Sequence, residues 1–425
     1  MLEKYYKQLK EKVLTETMPD GLKVVMVEKP DYHKTFAVLT TDYGSLDEKY
    51  QVGQGSPKKI PAGTAHFLEH KLFEKENEDA FTRFGQLGAD ANAFTNAYQT
   101  SYLFSTTQHV VPALQHLLQF VQTPYFSDKT VAKEQGIIGQ EIQMYEDDPN
   151  WAVYMGILSM MYPESPMAHD IAGTQQSIAT ITPELLYDVH HAFYQPSQLT
   201  LQVIGHFDKL ELLETISQTQ QLFASNSSSV TRLTPNLQPA VNLSDTRQFN
   251  ISRPKVAFGI RINGKPLRGT IVTKRTLAVD LMLDLLFGEQ TDWYQKLYNK
   301  GIIDSEFDTS FDLIREYQFI SIFAETTAYQ ALEKAIKTQI NQYRSALKNQ
   351  AHNFEQLKRA TIGEGIQRLN SLENIALRGD DALSGANLFD KIELLQDLTF
   401  DDILVTADII FQDAVLQRFV LQNRF

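Results

Sequence analysis

Two stretches of the chain repeat one order of apolar and polar positions. Residues 80–88 precede a strand-like segment at 101–107 and then a helix containing Ala113 and Leu114. In the second half, residues 293–301 precede a strand at 318–323 and a helix containing Ala331 and Leu332. Further on, residues 178–182, a helix and an apolar strand at 199–204 match residues 395–399, a helix and a strand at 415–420. Each half reads strand, helix, strand, helices, strand, and matching elements in one order at nearly constant offset indicate internal duplication. Ser-rich residues 224–229, followed by Pro235, Pro239 and Pro254, read as a linker. The expected organisation is a first domain over 1–223, a linker over 224–254 and a homologous second domain over 255–425. Strands grouped with long helices that do not alternate one for one place the chain in the α+β class. Each domain is expected to be an α/β sandwich, a mainly antiparallel sheet covered by helices.

A length of 425 residues with 43% hydrophobic content exceeds one ordinary domain and supports two. The longest apolar runs, 199–204 and 409–420, are short or interrupted, so no membrane span is expected. Residues 1–12 mix both charge signs without an apolar core, unlike a signal peptide, which makes the cytoplasm the expected location. A formal charge of −13 argues against a nucleic-acid partner, which needs a concentrated basic surface. The chain has no cysteine, so any transition-metal site must be built from His and carboxylates.

That restriction makes residues 63–75 informative. They read as a helix with Thr64 as its cap and with Phe67, Leu68, Leu72 and Phe73 available for packing. Residues three and four apart share a helix face, so His66 and His70 can direct two imidazoles at one cation while Glu69 lies at the same surface. This is the His-x-x-Glu-His pattern. Zinc suits it, accepting neutral imidazole and carboxylate and leaving one position to water in catalytic sites. A third protein ligand is then required. Within the helical stretch 131–142, Glu134 and Glu141 lie two turns apart on one face, where one can ligate and the other orient. A single His or Glu on a helix is ordinarily structural or solvated; this combination on two helices is not.

At these residues the sequence resembles the pitrilysin/insulinase family of zinc peptidases, which includes the mitochondrial processing peptidase. The resemblance spans nearly the whole chain. It also rests on Asp20, Gly21, Leu22, Lys23 and Val24 opening a strand, on Gly44, Ser45 and Glu48, and on Asn92, Ala93, Phe94 and Thr95. It implies that His66, His70 and Glu141 hold Zn2+, that Glu69 is the general base, and that Glu134 is an outer carboxylate serving the ligands. The register that gives Glu141 the ligand role comes from matching the paired-Glu helix to the family. The resemblance further implies that the strand Asn92, Ala93, Phe94, Thr95 is a substrate-binding edge, where an extended peptide adds itself as a strand. The implied reaction is metal-assisted peptide hydrolysis, with Glu69 removing a proton from water and delivering it to the leaving amine.

The second half departs from this pattern. Aligning Leu286 and Phe287 with Leu72 and Phe73 puts Asp280 and Asp284 at the places of His66 and His70, and Leu283 at that of Glu69, so no second metal site is expected. The family also carries an Arg and a Tyr that contact substrate; here those places hold Tyr298 and Ser305. Family enzymes work as a clamshell of two two-domain halves, and this chain resembles one half. Besides a peptide substrate, the implied partner is a second two-domain chain in a heterodimer, or a second copy in a homodimer. A non-catalytic structural or binding subunit is the alternative function, and a maturation enzyme dedicated to one peptide is a third. Gly259 to Lys265 almost spells a phosphate-binding loop but fails at Pro266. The adjacent His190 and His191 point to different helix faces and read as structural. Glu146, Asp147 and Asp148, closed by Pro149, read as a solvated helix end.

Overall fold

The computed structural model describes residues 1–223, 229–235, 237–238, 242–264, 267–377 and 385–424. The chain forms two compact units: Met1–Gln143, His169–Pro235 and Ser371–Leu377 make the first, and Met144–Ala168, Asn236–Asn370 and Arg378–Phe425 the second. No described helix is long and apolar enough to cross a membrane.

The first unit is built on strands β1 (Leu2–Tyr6), β2 (Glu11–Thr17), β3 (Lys23–Glu28) and β4 (Thr35–Thr41). Two short strands, β5 (Lys49–Val52) and β6 (Lys58–Lys59), form a separate ribbon, and β7 (Asp90–Thr95), β8 (Thr100–Thr106) and β9 (Leu199–Gly205) complete the main sheet. Its order is β1-β2-β3-β9-β4-β8-β7, antiparallel except where β3 runs alongside β9. The central strands are apolar on both faces: Phe36, Ala37, Val38 and Leu39 on β4 and Leu201, Val203 and Ile204 on β9 are all buried. Strand β7 is the half-exposed edge.

Four helices of this unit hold or adjoin the candidate residues: α1 (Thr64–Phe73), α2 (Ala80–Gln86), α3 (Val110–Gln122) and α4 (Asp128–Glu146). Helix α3 buries Ala113, Leu114, Leu117, Leu118 and Val121, a helical stripe against the sheet. The carbonyls left over at its C-terminus are met by side chains. Lys75 Nζ donates to Phe120 O at 2.6 Å and Thr123 O at 2.7 Å, and His190 Nε2 donates to Val121 O at 2.8 Å. His190 is buried, which pushes its pKa down to about 3, and it serves as a neutral cap, in line with the structural role its sequence context suggests.

Strand β10 (Val230–Arg232) completes the ribbon of the first unit, and the main sheet of the second uses β11 (Ser244–Phe249), β12 (Lys255–Arg261), β13 (Asp308–Ile314), β14 (Tyr317–Glu325) and β15 (Leu416–Asn423). The order β11-β15-β12-β14-β13, with β11 and β15 parallel and the rest antiparallel, is that of β3-β9-β4-β8-β7. The duplication expected from the sequence is thus present strand for strand, and the α+β class with mostly antiparallel sheets holds.

Several details differ from expectation. Helix α1 is not capped by Thr64, whose hydroxyl bonds Pro61 O at 2.7 Å; its N-cap is Gly63, with φ of 91° and Ala172 O only 2.4 Å from where a Cβ would stand. Asp148 is more than a solvated charge. It accepts from the amides of Asn150 and Trp151 and so opens helix α5 (Pro149–Met161), with Pro149 at its first turn. Helix α5 packs on β12 and β15 of the second unit, where Gly156 and Gly259 leave room for Phe419 and for Ile157 and Met161. Within 224–254, residues 224–228, 236 and 239–241 lie outside the described residues, and β10 and β11 are strands of ordered ladders. The near-miss phosphate loop begins inside β12, and Lys265 and Pro266 lie outside the described residues.

Candidate metal centre

Helix α1 holds its register because Phe67, Leu68, Leu72 and Phe73 are buried beneath it. The opposite side then presents His66, Glu69 and His70. Helix α4 supplies Glu134 and Glu141, seven residues apart and hence on one face. The Nε2 of His66 is 3.6 Å from Glu141 Oε1, and the Nε2 of His70 is 3.9 Å from Glu141 Oε2. The two rings lie 4.5 Å apart, centroid to centroid. One donor atom each from His66, His70 and Glu141 falls within 4.8 Å of the others, and among the described residues no other His, Asp or Glu trio converges in this way.

The neighbours of these donors define their protonation. His70 Nδ1 donates to Glu134 Oε1 at 3.1 Å, which leaves its Nε2 lone pair directed toward Glu141. Burial alone would lower the His70 pKa, but that bond and the carboxylates of Glu69, Glu134 and Glu141 raise it overall. Burial and the adjacent His70 push His66 down to about 4, so its ring is neutral. His66 Nδ1 is buried without a hydrogen-bond partner. Burial raises the Glu69 carboxyl, against a hydrogen bond at 2.7 Å from Thr95 Oγ1. Glu134 is also buried, yet the His70 bond with Lys71 and Lys133 nearby hold its carboxyl below the usual range. Two neutral-capable imidazoles and a carboxylate are a donor set that a divalent transition metal accepts.

Each residue singled out in the sequence has a definite place. His66, Glu69, His70, Glu134 and Glu141 gather in one site. Asn92, Ala93, Phe94 and Thr95 lie on β7, which α1 packs against. In the second unit Asp280 and Asp284 lie on the Thr270–Phe287 helix, where Leu283 is buried in the core. Tyr298 is exposed and stacks on Tyr294 at 6.0 Å, and Ser305 is exposed. Sequence reasoning passed over Lys71, a fully buried lysine ion-paired with Glu74, although the i,i+3 spacing was a readable signal. It also passed over His169, whose Nδ1 bonds Glu48 Oε1 at 2.6 Å across 121 residues, a pairing no local pattern announces.

Comparison with known proteins decides the family. A profile described as "Insulinase (Peptidase family M16)" matches residues 23–175, and one described as "Peptidase M16 inactive domain" matches residues 180–361. The chain belongs to peptidase family M16. It is 38% identical over 94% of both chains to a Bacillus subtilis (strain 168) protein named "Uncharacterized zinc protease YmfH". A solved structure described as an M16-like peptidase from Alicyclobacillus acidocaldarius superposes with a TM-score of 0.90 at 28% identity, covering 97% of this chain and 98% of that one. A more distant M16 relative, 24% identical over 58% of this chain and 46% of its own, is named as a mitochondrial-processing peptidase subunit beta of Arabidopsis thaliana. The candidate metal centre lies wholly within the part that matches the first profile.

Proposed function

We propose that this M16 chain is a zinc-dependent endopeptidase acting on peptides or short unfolded segments, with His66, His70 and Glu141 as metal ligands. The observation that carries this reading is the convergence of those three donors beside a buried carboxylate, Glu69, on the same helix face. The names of its relatives support zinc as the metal. Bound there, zinc would supply Lewis acidity, acidifying water and polarising a scissile carbonyl.

The chain's own residues supply the rest. Glu69 removes the proton from the attacking water and returns it to the leaving amine, a role favoured by a carboxyl whose pKa burial has raised. Glu134 accepts from His70 Nδ1 and so fixes the ring with Nε2 toward the ligand cluster. The free edge of β7 takes the peptide by main-chain pairing, which tolerates many sequences. A second two-domain chain, or a second copy, completes the enzyme, a reading supported by the subunit named among its relatives and by Tyr298 and Ser305 standing where the family carries Arg and Tyr.

The test is zinc content together with hydrolysis of a quenched peptide library by wild type and Glu69→Gln, with and without a co-purifying partner. Bound zinc in both proteins with cleavage by the wild type alone is the expected result. If neither zinc nor cleavage is found even with a partner, the chain is a non-catalytic subunit instead.

A further inference from the structure

The alternation of β7 separates its side chains into two sets. Ala91 and Ala93 pack on the core, so Thr95, two residues on, faces the same side, the one α1 covers, while Asn92 and Phe94 face the other. Thr95 is therefore on the side of the helix that carries Glu69. Its hydroxyl is engaged there. It donates to Glu69 Oε2 at 2.7 Å and lies 3.3 Å from the hydroxyl of Thr100, its direct partner across the β7–β8 ladder.

Thr100 is fully buried and is itself fixed, bonding Tyr43 O at 2.9 Å and the hydroxyl of Tyr194. Behind Tyr194 stands Tyr102, hydroxyl to hydroxyl at 3.0 Å, and both tyrosines are buried. With the Thr95 proton given to Glu69 and the Thr100 proton to Tyr43 O, the two threonine hydroxyls touch as a packed pair, and Thr100 confines Thr95 by contact. A glutamate has three side-chain torsions, and a general base works only from a narrow range of positions.

We propose that Thr95 is a positioning residue for Glu69: its hydroxyl, packed against Thr100, holds Oε2 and leaves Oε1 to face the reacting water. This rests on the peptidase reading above.

The test uses the full chain loaded with zinc, with its partner if one is required, as wild type, Thr95→Val and Thr95→Ser. Valine keeps the shape and removes the hydroxyl. Thr95→Val is expected to lower kcat by about 10- to 100-fold with KM and zinc content within about twofold of wild type, and Thr95→Ser to restore kcat to within about threefold. A crystal structure of Thr95→Val is expected to show the Glu69 carboxylate rotated from its wild-type position. An unchanged kcat, or a Glu69 carboxylate that has not moved, overturns the proposal. If Thr95→Val does not fold, Thr95→Ala takes its place with the same expectations. A wild type that cleaves no peptide would defeat the peptidase reading, while the orientation of Glu69 in the variant crystal would still decide this one.

Discussion

Helix α1 and the Thr270–Phe287 helix occupy the same place in their respective units, each between the strand at the sheet's centre and the hairpin at its edge. Leu72 and Phe73 in the first and Leu286 and Phe287 in the second are all buried, so the anchoring side of the helix is alike. The other side is not. Where α1 carries Glu69, the second helix carries Leu283, buried in the apolar core. Where α1 carries His70, the second carries Asp284, whose carboxyl is raised by burial and by the like charges of Glu364 and Asp308. Among the described residues no trio of His, Asp or Glu donors converges there as it does on α1 and α4. The difference teaches that the sheet and its covering helix are a scaffold indifferent to the candidate site, which resides in three positions of α1 and two of α4.

The comparison breaks first at Glu69. Replacing it with Gln leaves His66, His70 and Glu141 intact and is expected to lower kcat by about 10³-fold or more, within the range for a general base, with zinc content unchanged. Loss of zinc along with activity would mean that Glu69 is structural, like its counterpart. In the second unit the matching test is Leu283→Ala, expected to cost about 2–5 kcal/mol in urea unfolding and nothing in zinc content. A cost below about 1 kcal/mol would mean that this position is not the core residue it is taken to be.

Glu134→Gln comes next. Weakening the bond that orients His70 is expected to raise the zinc dissociation constant about 10- to 100-fold, read by competition with a chelator. A smaller effect is expected from pH. His190, buried in the first unit, stands as far beyond its capping Thr182 as the buried Ala407 does beyond Thr399 in the second. With a folded pKa of about 3 against an unfolded value of about 6.5, the unfolded chain takes up the proton first. This contribution to stability is complete above pH 6.5 and declines as pH falls toward 3, by at most about 1.4 kcal/mol per pH unit. His190→Gln, which keeps a donor for Val121 O, is expected to flatten that slope between pH 6.5 and 4.5 in urea titrations; an unaltered slope would refute the assignment. Last, Asp280→Asn with Asp284→Asn is expected to change neither zinc content nor kcat by more than about twofold.

The candidate site was readable because its spacing is local. Two imidazoles and a carboxylate within five residues share a helix face, as do the paired glutamates of α4, while the choice of Glu141 over Glu134 came from matching that helix to the family. The strand order was readable in outline because the second half repeats the first. What escaped the sequence was set by distant partners. Helix α5 is apolar nearly all round, so its pattern does not say what it packs on, and β12 and β15 lie far along the chain. The hairpin of β1 and β2 escaped because most of β1 is exposed, with Tyr6 alone buried in it, too little for a period of two to register. Gly63 escaped as a cap because the need for it comes from Ala172, more than a hundred residues away.

The two units do not divide the chain at a single point. It changes unit after Gln143, Ala168, Pro235, Asn370 and Leu377. A gene cut in the middle would therefore strand pieces on the wrong side: a product ending at residue 223 would keep helix α5 without β12 and β15 and would lack Ser371–Leu377. For anyone building the half with the candidate metal centre as a stand-alone reagent, or splitting the protein for complementation, the other half is not a removable module, because part of each unit is encoded inside the other.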